Sequence, residues 1–207
     1  MNPTEGICPI IGMSPGNSYF TEEVIENLIK KIVGQFGRTA VFIPDIPAIA
    51  TYKALGYPEN VARRDKAIPK GNNLKNKVLK AIEKNGFGKN QVRIIDWEKD
   101  AEENIGFQKT YEKIKNMYEV NADFKKSVND ATRSVLQNMK DDRVDDLAVS
   151  IGAHYLLSEL AFMEQSPVLL GANKTIYVYH KPWLIYESYI AGKFDGVFRK
   201  NLGFLVV

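Results

Sequence analysis

Hydrophobic and polar positions alternate between two periods along this chain. Ile7 to Ile11 is a short apolar run of the kind that forms a buried strand. Val24, Ile25, Leu28, Ile29, Ile32, Val33 and Phe36 then recur at helical spacing. Thr21 is placed to cap that helix, Glu22 and Glu23 suit its first turn, and Gly37 is its stop signal. The pattern next predicts a strand over Thr39–Ile43, a short helix over Ile49–Leu55, a helix over Leu74–Asn85 closed by Gly86, and a strand over Gln91–Trp97. Helical patterns follow over roughly 101–119, 122–140 and 144–165. The chain ends with a strand over Thr175–Tyr179, a helix over Pro182–Ala191 and a strand over Phe204–Val207. Strands alternating with helices predict an α/β fold, a mostly parallel, doubly wound sheet with helices on both faces and its site at the carboxyl ends of the strands.

At 207 residues and 44% hydrophobic content, one core and a single domain spanning 1–207 are expected. The one cysteine, Cys8, lies in the first apolar run and builds neither a disulfide nor a cysteine-based zinc site. No basic-apolar leader and no apolar run near 18 residues is visible, so a cytoplasmic protein without a membrane partner is expected. The net charge of +3 hides an uneven distribution. Between Arg63 and Lys89 lie nine Lys or Arg residues (63, 64, 66, 70, 75, 77, 80, 84, 89) against only Asp65 and Glu83. A local basic field of that kind suits a polyanion.

Three features carry candidate chemistry. Gly12-Met13-Ser14-Pro15-Gly16-Asn17-Ser18-Tyr19-Phe20 puts a serine on a tight turn between the first strand and the first helix. Such a turn lifts a hydroxyl out of the backbone and surrounds it with N–H groups. Gly12 to Gly16 fits G-x-S-x-G, the nucleophile elbow of α/β-hydrolases, but that elbow normally follows several strands and needs a downstream acid and histidine. Only His154 and His180 are present. Helix capping by Ser14 and Ser18 is the plain structural alternative. Tyr155 and Glu159 stand at i and i+4 in a mostly apolar helix, where desolvation raises a carboxyl pKa and fits it for proton transfer; a simple Tyr–Glu hydrogen bond is the alternative. Tyr177 and Tyr179 share one face of the fourth strand, with His180 at its end.

Together, Gly12-Met13-Ser14-Pro15-Gly16-Asn17-Ser18-Tyr19, Tyr155-Leu156-Leu157-Ser158-Glu159 and Tyr179-His180-Lys181-Pro182-Trp183 resemble the tRNA-dependent cyclodipeptide synthases. The resemblance covers nearly the whole chain, and Asn17, Tyr179 and His180 are similar to the subgroup named for Asn, Tyr and His. It implies a Rossmann-like fold similar to the catalytic domains of class I aminoacyl-tRNA synthetases, without their ATP-handling motifs. It also implies an aminoacyltransferase that joins the amino acids of two aminoacyl-tRNAs into a 2,5-diketopiperazine, with no metal, no cofactor and no DNA partner.

The same resemblance implies roles for individual residues. Ser14 would carry the aminoacyl group, Tyr155 and Glu159 would hold its α-ammonium, and Tyr179 would relay a proton or hold substrate. Ile10, Gly12, Phe162 and Tyr177 would line an apolar pocket, with leucine favoured, and Asn17 and His180 would complete the substrate site. Arg63, Arg64, Lys75, Lys77, Lys80 and Lys84 would contact the tRNA backbone. Two rival readings stay open at this point: a serine hydrolase using Ser14, and a non-catalytic tRNA- or nucleotide-binding module of the same fold.

Overall fold

The computed structural model describes residues 6–139 and 143–207. Five strands, β1 (Ile7–Gly12), β2 (Thr39–Phe42), β3 (Val92–Ile94), β4 (Lys174–Tyr179) and β5 (Leu202–Val206), form one sheet in the order β3-β2-β1-β4-β5. Every pairing is parallel. The chain therefore winds outward from β1 to β3, returns, and winds the other way through β4 to β5. That reversal leaves a topological switch point between β1 and β4. The mostly parallel, doubly wound sheet expected from the pattern is thus present.

Alternate residues of each strand serve two cores, as the two-residue period of a strand requires. Ile11, Val41 and Val178 pack with Ile25, Leu28, Ile29 and Ile32 of α1 (Glu22–Phe36) and with Leu74 and Val78 of α4 (Ile68–Asn85). Cys8, Ile10, Ala40, Phe42 and Tyr177 face α5 (Ile105–Val120), α6 (Ala122–Met139), α7 (Asp146–Leu169) and α8 (Leu184–Ile190). Cys8 is buried, as a small hydrophobe should be. The α1 boundaries follow the sequence signals: Thr21 accepts from the Val24 N–H at 3.2 Å, and Gly37 turns left-handed at φ 75°. Lys140, the expected end of the 122–140 helical pattern, lies outside the described residues.

Two expected boundaries are corrected. The basic helix does not begin at Leu74. Helical backbone starts at α3 (Glu59–Val61), passes through a π-helical turn at Ala62–Ala67 and continues into α4. Pro69 sits just past the junction of the π-helical turn with α4, where the irregular hydrogen-bond pattern accommodates a residue that has no N–H. The third strand is also shorter than Gln91–Trp97, because Asp96 accepts from the Lys99 N–H and starts a π-helical turn at Trp97–Glu102. At the far end of α7, Pro167 supplies no N–H to the Met163 carbonyl, and the Ser166 hydroxyl donates to that carbonyl instead, at 2.7 Å. The same hydroxyl lies 2.7 Å from Thr175 Oγ1, tying α7 to β4.

α2 (Ala48–Ala54) packs against α7 and stands over the carboxyl ends of the strands. The loop that leads into it is fixed by Asp45, a buried carboxylate that accepts from Lys75 of α4 at 2.6 Å and from the Ile46 N–H at 3.0 Å. Gly71 lies against this carboxylate, and a Cβ there would overlap the Asp45 side chain. Alanine within a helix ordinarily gains up to about 1 kcal/mol over glycine, whereas crowding at this contact should cost about 1–3 kcal/mol. Thermal unfolding should give Gly71→Ala a lower midpoint than wild type; a raised midpoint would show that the contact does not constrain the helix.

Candidate active site

Ser14 follows β1 directly, and Tyr179 closes β4, so the parallel β1–β4 pairing brings them to the same rim of the sheet. Their oxygens are 3.0 Å apart. The turn that holds Ser14 is built by its neighbours. The Met13 N–H donates to the Phe42 carbonyl at 2.9 Å and the Asn17 N–H to the Ser14 carbonyl at 3.1 Å, while Gly16 takes φ 85°, a conformation that favours glycine. Among the described backbone bonds, the N–H groups of Ser14 and Gly16 are not committed to carbonyls. They are the donors this turn can offer to a developing oxyanion.

Tyr155 of α7 also reaches the serine, its hydroxyl 3.5 Å from Ser14 Oγ, at the outer limit of a hydrogen bond. One helical turn further, Glu159 is 5% exposed, flanked on the buried side of α7 by Leu156, Leu160 and Met163. Burial raises its pKa to about 8, against a smaller opposing effect of the Tyr155 hydroxyl. Burial likewise holds Tyr155 and Tyr179 above the ordinary tyrosine range, with the Glu159 charge adding to both. These tyrosines therefore stay protonated at neutral pH and can donate hydrogen bonds, while the proton affinity of Glu159 lies near neutrality.

Of the remaining expected substrate residues, Gly12 and Asn17 belong to the end of β1 and the serine turn, His180 follows Tyr179, and Ile10, Phe162 and Tyr177 are buried in the core beneath. Tyr177 packs on Gly12 so closely that a Cβ on Gly12 would overlap its ring, which makes glycine obligatory beside this tyrosine. Ile10 pairs with Tyr177 across the sheet, and Phe162 stacks on Phe42 at 4.3 Å. Asn17 spends its Oδ1 on the Tyr19 N–H at 3.0 Å, and so shapes the turn. His180 stacks on Tyr19 at 4.2 Å, and its buried Nδ1 has no hydrogen-bond partner among the described residues. Neither histidine bonds Ser14: the Nδ1 of His154 is engaged by the Tyr111 hydroxyl at 2.9 Å, beside a cleft of about 540 Å³ on another face of α7. The serine–histidine pair that a hydrolase triad needs is therefore not formed among the described residues.

The six basic residues expected to meet a nucleic acid are each engaged within the protein. Lys75 binds buried Asp45, and Lys77 donates to the Phe20 carbonyl at 3.0 Å, bracing the end of the serine turn. Lys80 pairs with Glu22, Lys84 with Glu26, Arg63 with Glu98 and Arg64 with Asp65. The last four pairs involve exposed cations, though Glu26 is itself largely covered, and such surface pairs are individually weak. Sequence periodicity could not reveal the pairs to α1, because Glu22 and Glu26 stand 58 residues away from their lysines.

The cyclodipeptide synthase family model matches residues 4–207. This chain belongs to the cyclodipeptide synthase family. A cyclo(L-leucyl-L-leucyl) synthase from Bacillus subtilis is 24% identical over 206 residues, covering 96% of this chain and 81% of that protein. Among solved structures, a cyclodipeptide synthase from Bacillus thermoamylovorans aligns with a TM-score of 0.85 at 24% identity, covering 98% of this chain and 89% of that one. The Mycobacterium tuberculosis protein described as relating this family to type I tRNA synthetases aligns at 0.79 and 20% identity, over 97% and 85%. A synthase from Candidatus Glomeribacter gigasporarum, solved bound to Phe-tRNAPhe, aligns at 0.60 and 16%, over 95% and 86%. These likenesses show that the parallel sheet and its helices have the fold of the solved cyclodipeptide synthases. Among the described residues, no helix is long and apolar enough to cross a membrane.

The raised pKa of Glu159 predicts how stability varies with pH. Folded protein keeps the carboxyl proton up to about pH 8, whereas the unfolded chain releases it near 4.5. This group's contribution is complete below the lower value and declines as pH rises toward the upper one. Glu159→Gln cannot ionise, so its thermal midpoint relative to wild type should climb between pH 5 and pH 9. A difference that does not change with pH would contradict a buried, proton-holding carboxyl.

Proposed function

We propose that this cyclodipeptide synthase works by a ping-pong route on Ser14, taking two aminoacyl-tRNAs in turn. Ser14 Oγ attacks the first aminoacyl ester, an ester to the serine forms, and the tRNA 3′ hydroxyl leaves with the proton. An aminoacyl ester is already activated, so no ATP is required for this transfer. The α-amine of aminoacyl-Ser14 then attacks the second aminoacyl ester, giving dipeptidyl-Ser14 and a second free tRNA. The new N-terminal amine attacks the serine ester carbonyl, the diketopiperazine ring closes and the serine hydroxyl is restored.

The single observation that carries this reading is the convergence of Tyr179 and Tyr155 on Ser14, with buried Glu159 hydrogen-bonded to Tyr155 behind them and no histidine bonded to Ser14 among the described residues. Glu159 and Tyr155 hold the α-ammonium, whose positive charge favours the ionised form of Glu159. The carboxylate, its proton affinity raised by burial, accepts the proton that must leave before the amine attacks. Tyr179 passes a proton between Ser14 Oγ and the departing ribose oxygen. The Ser14 and Gly16 N–H groups receive the oxyanion. Ile10, Gly12, Phe162 and Tyr177 offer no charge to a side chain, which supports an apolar aminoacyl group. Leucine is favoured, in keeping with the cyclo(L-leucyl-L-leucyl) synthases among the relatives.

The test is incubation with a charged tRNA pool followed by mass spectrometry for cyclic dipeptides. Wild type should make an apolar cyclic dipeptide, cyclo(leucyl-leucyl) foremost, and Ser14→Ala none. Product at the wild-type rate from Ser14→Ala would remove the serine from the chemistry. For the exposed basic pairs, Lys80→Ala with Lys84→Ala should lower the slope of log affinity for tRNA against log salt by roughly 1–2. An unchanged slope would show that these lysines serve only their glutamates.

A further inference from the structure

Two lysines that lie between Arg64 and Lys75 have a different setting. Lys66 and Lys70, one helical turn apart, make no ion pair among the described residues. Each instead lies over a tyrosine: Lys66 Nζ is 4.7 Å from the centre of the Tyr57 ring, and Lys70 Nζ 5.0 Å from that of Tyr52. The two rings meet edge to face at 6.3 Å. This pair of lysine-covered aromatics leads from the exposed Tyr57, 39% accessible, inward to Tyr52, 4% accessible.

Its inner end is the serine turn. A Cβ built on Gly16 would lie 3.2 Å from Lys70 Nζ and 3.4 Å from the Tyr52 hydroxyl, so both groups converge on the bare face of that glycine, two residues from Ser14. The Tyr52 hydroxyl is buried and without a hydrogen-bond partner among the described residues. An unpaired buried hydroxyl is costly unless something supplies its partner. Lys70 covers it with a flexible stem that an anion can draw aside.

We propose that Lys70 and the Tyr52 hydroxyl grip the terminal nucleotide of the substrate RNA, Lys70 through its phosphate and Tyr52 through a ribose or phosphate oxygen. Tyr57 and Lys66 carry the preceding nucleotide of the single-stranded end. Alternating cations and aromatic faces are the chemistry that holds unpaired nucleotides. The assignment rests on the tRNA-dependent reading above and makes Tyr52 a positioning residue: it fixes where the ester meets Ser14 and takes no part in bond making.

The experiment is a cycle between protein and RNA. Fluorescence anisotropy measures binding of an uncharged hairpin ending in a single-stranded CCA, and of the same hairpin lacking the terminal nucleotide. Wild type should bind the complete end roughly tenfold more tightly, as expected for a hydrogen bond to a charged group. In Tyr52→Phe and Lys70→Met that preference should shrink to about twofold or less, and Tyr52→Phe should keep or raise the wild-type thermal midpoint, since no folded-state bond is lost. Variants that weaken both hairpins by one factor, a wild type indifferent to the last nucleotide, or a destabilised Tyr52→Phe would each overturn the assignment. Cyclic dipeptide synthesis by wild type, assayed in parallel, separates the outcomes. Product formed with a flat cycle overturns this assignment alone, whereas no product from charged tRNA overturns the tRNA-dependent reading beneath it.

Discussion

The parallel pairing of β1 with β4 is the constraint on which the site depends. Ile10 opposite Tyr177 and Ile11 opposite Val178 set the register, and two residues beyond, the turn bearing Ser14 faces the end of β4 bearing Tyr179. These residues are 165 positions apart in the chain, and only the hydrogen-bonded ladder brings their oxygens to 3.0 Å. A slip of one residue would send Tyr179 to the α1–α4 face and Val178 to the site. The opposing winding of the sheet on either side of this pair also opens the rim there, since the helices after β1 and β4 leave in different directions. Gly12 belongs to the same constraint, because only a residue without Cβ lets Tyr177 lie across the strand end.

Upon that frame, burial sets the chemistry. α7 brings Tyr155 and Glu159 from an apolar layer in which Leu156, Leu157, Leu160 and Phe162 exclude water. The cost of burying a carboxyl appears as a proton affinity raised into the working range, and the phenols beside it are kept protonated for the same reason. Among the described residues no histidine bonds Ser14, which separates the site from the serine hydrolases whose G-x-S-x-G pattern it shares in sequence.

Much of this was legible in the sequence because the signals are local. The Thr21 cap, the Gly37 stop, the period-two strands and the i, i+4 relation of Tyr155 to Glu159 each depend on near neighbours, and each stands as read. What the sequence hid depends on distant partners or on irregular backbone. Pro69 and the charge-rich Arg63–Lys66 stretch gave no clean helical period, so the π-helical turn at Ala62–Ala67, and with it the turn-by-turn spacing of Lys66 and Lys70, was obscured. The nine basic residues looked alike in composition. Tertiary structure sorts them: Lys75 and Lys77 hold the loops around the site, Lys80 and Lys84 pair with α1, and Lys66 and Lys70 lie on tyrosines. Tyr52 carried no motif, and only its unpartnered hydroxyl sets it apart.

Every step proposed for this family member passes through one covalent bond, between an aminoacyl group and Ser14. Mixing the protein with leucyl-tRNA alone, quenching in acid and mapping the digested protein by mass spectrometry examines that bond directly. The account predicts one leucyl group, or a leucyl-leucyl group, on the peptide that contains Ser14. Cyclic product formed while that peptide stays unmodified at every quench time, or with the leucyl group on another residue, would contradict it.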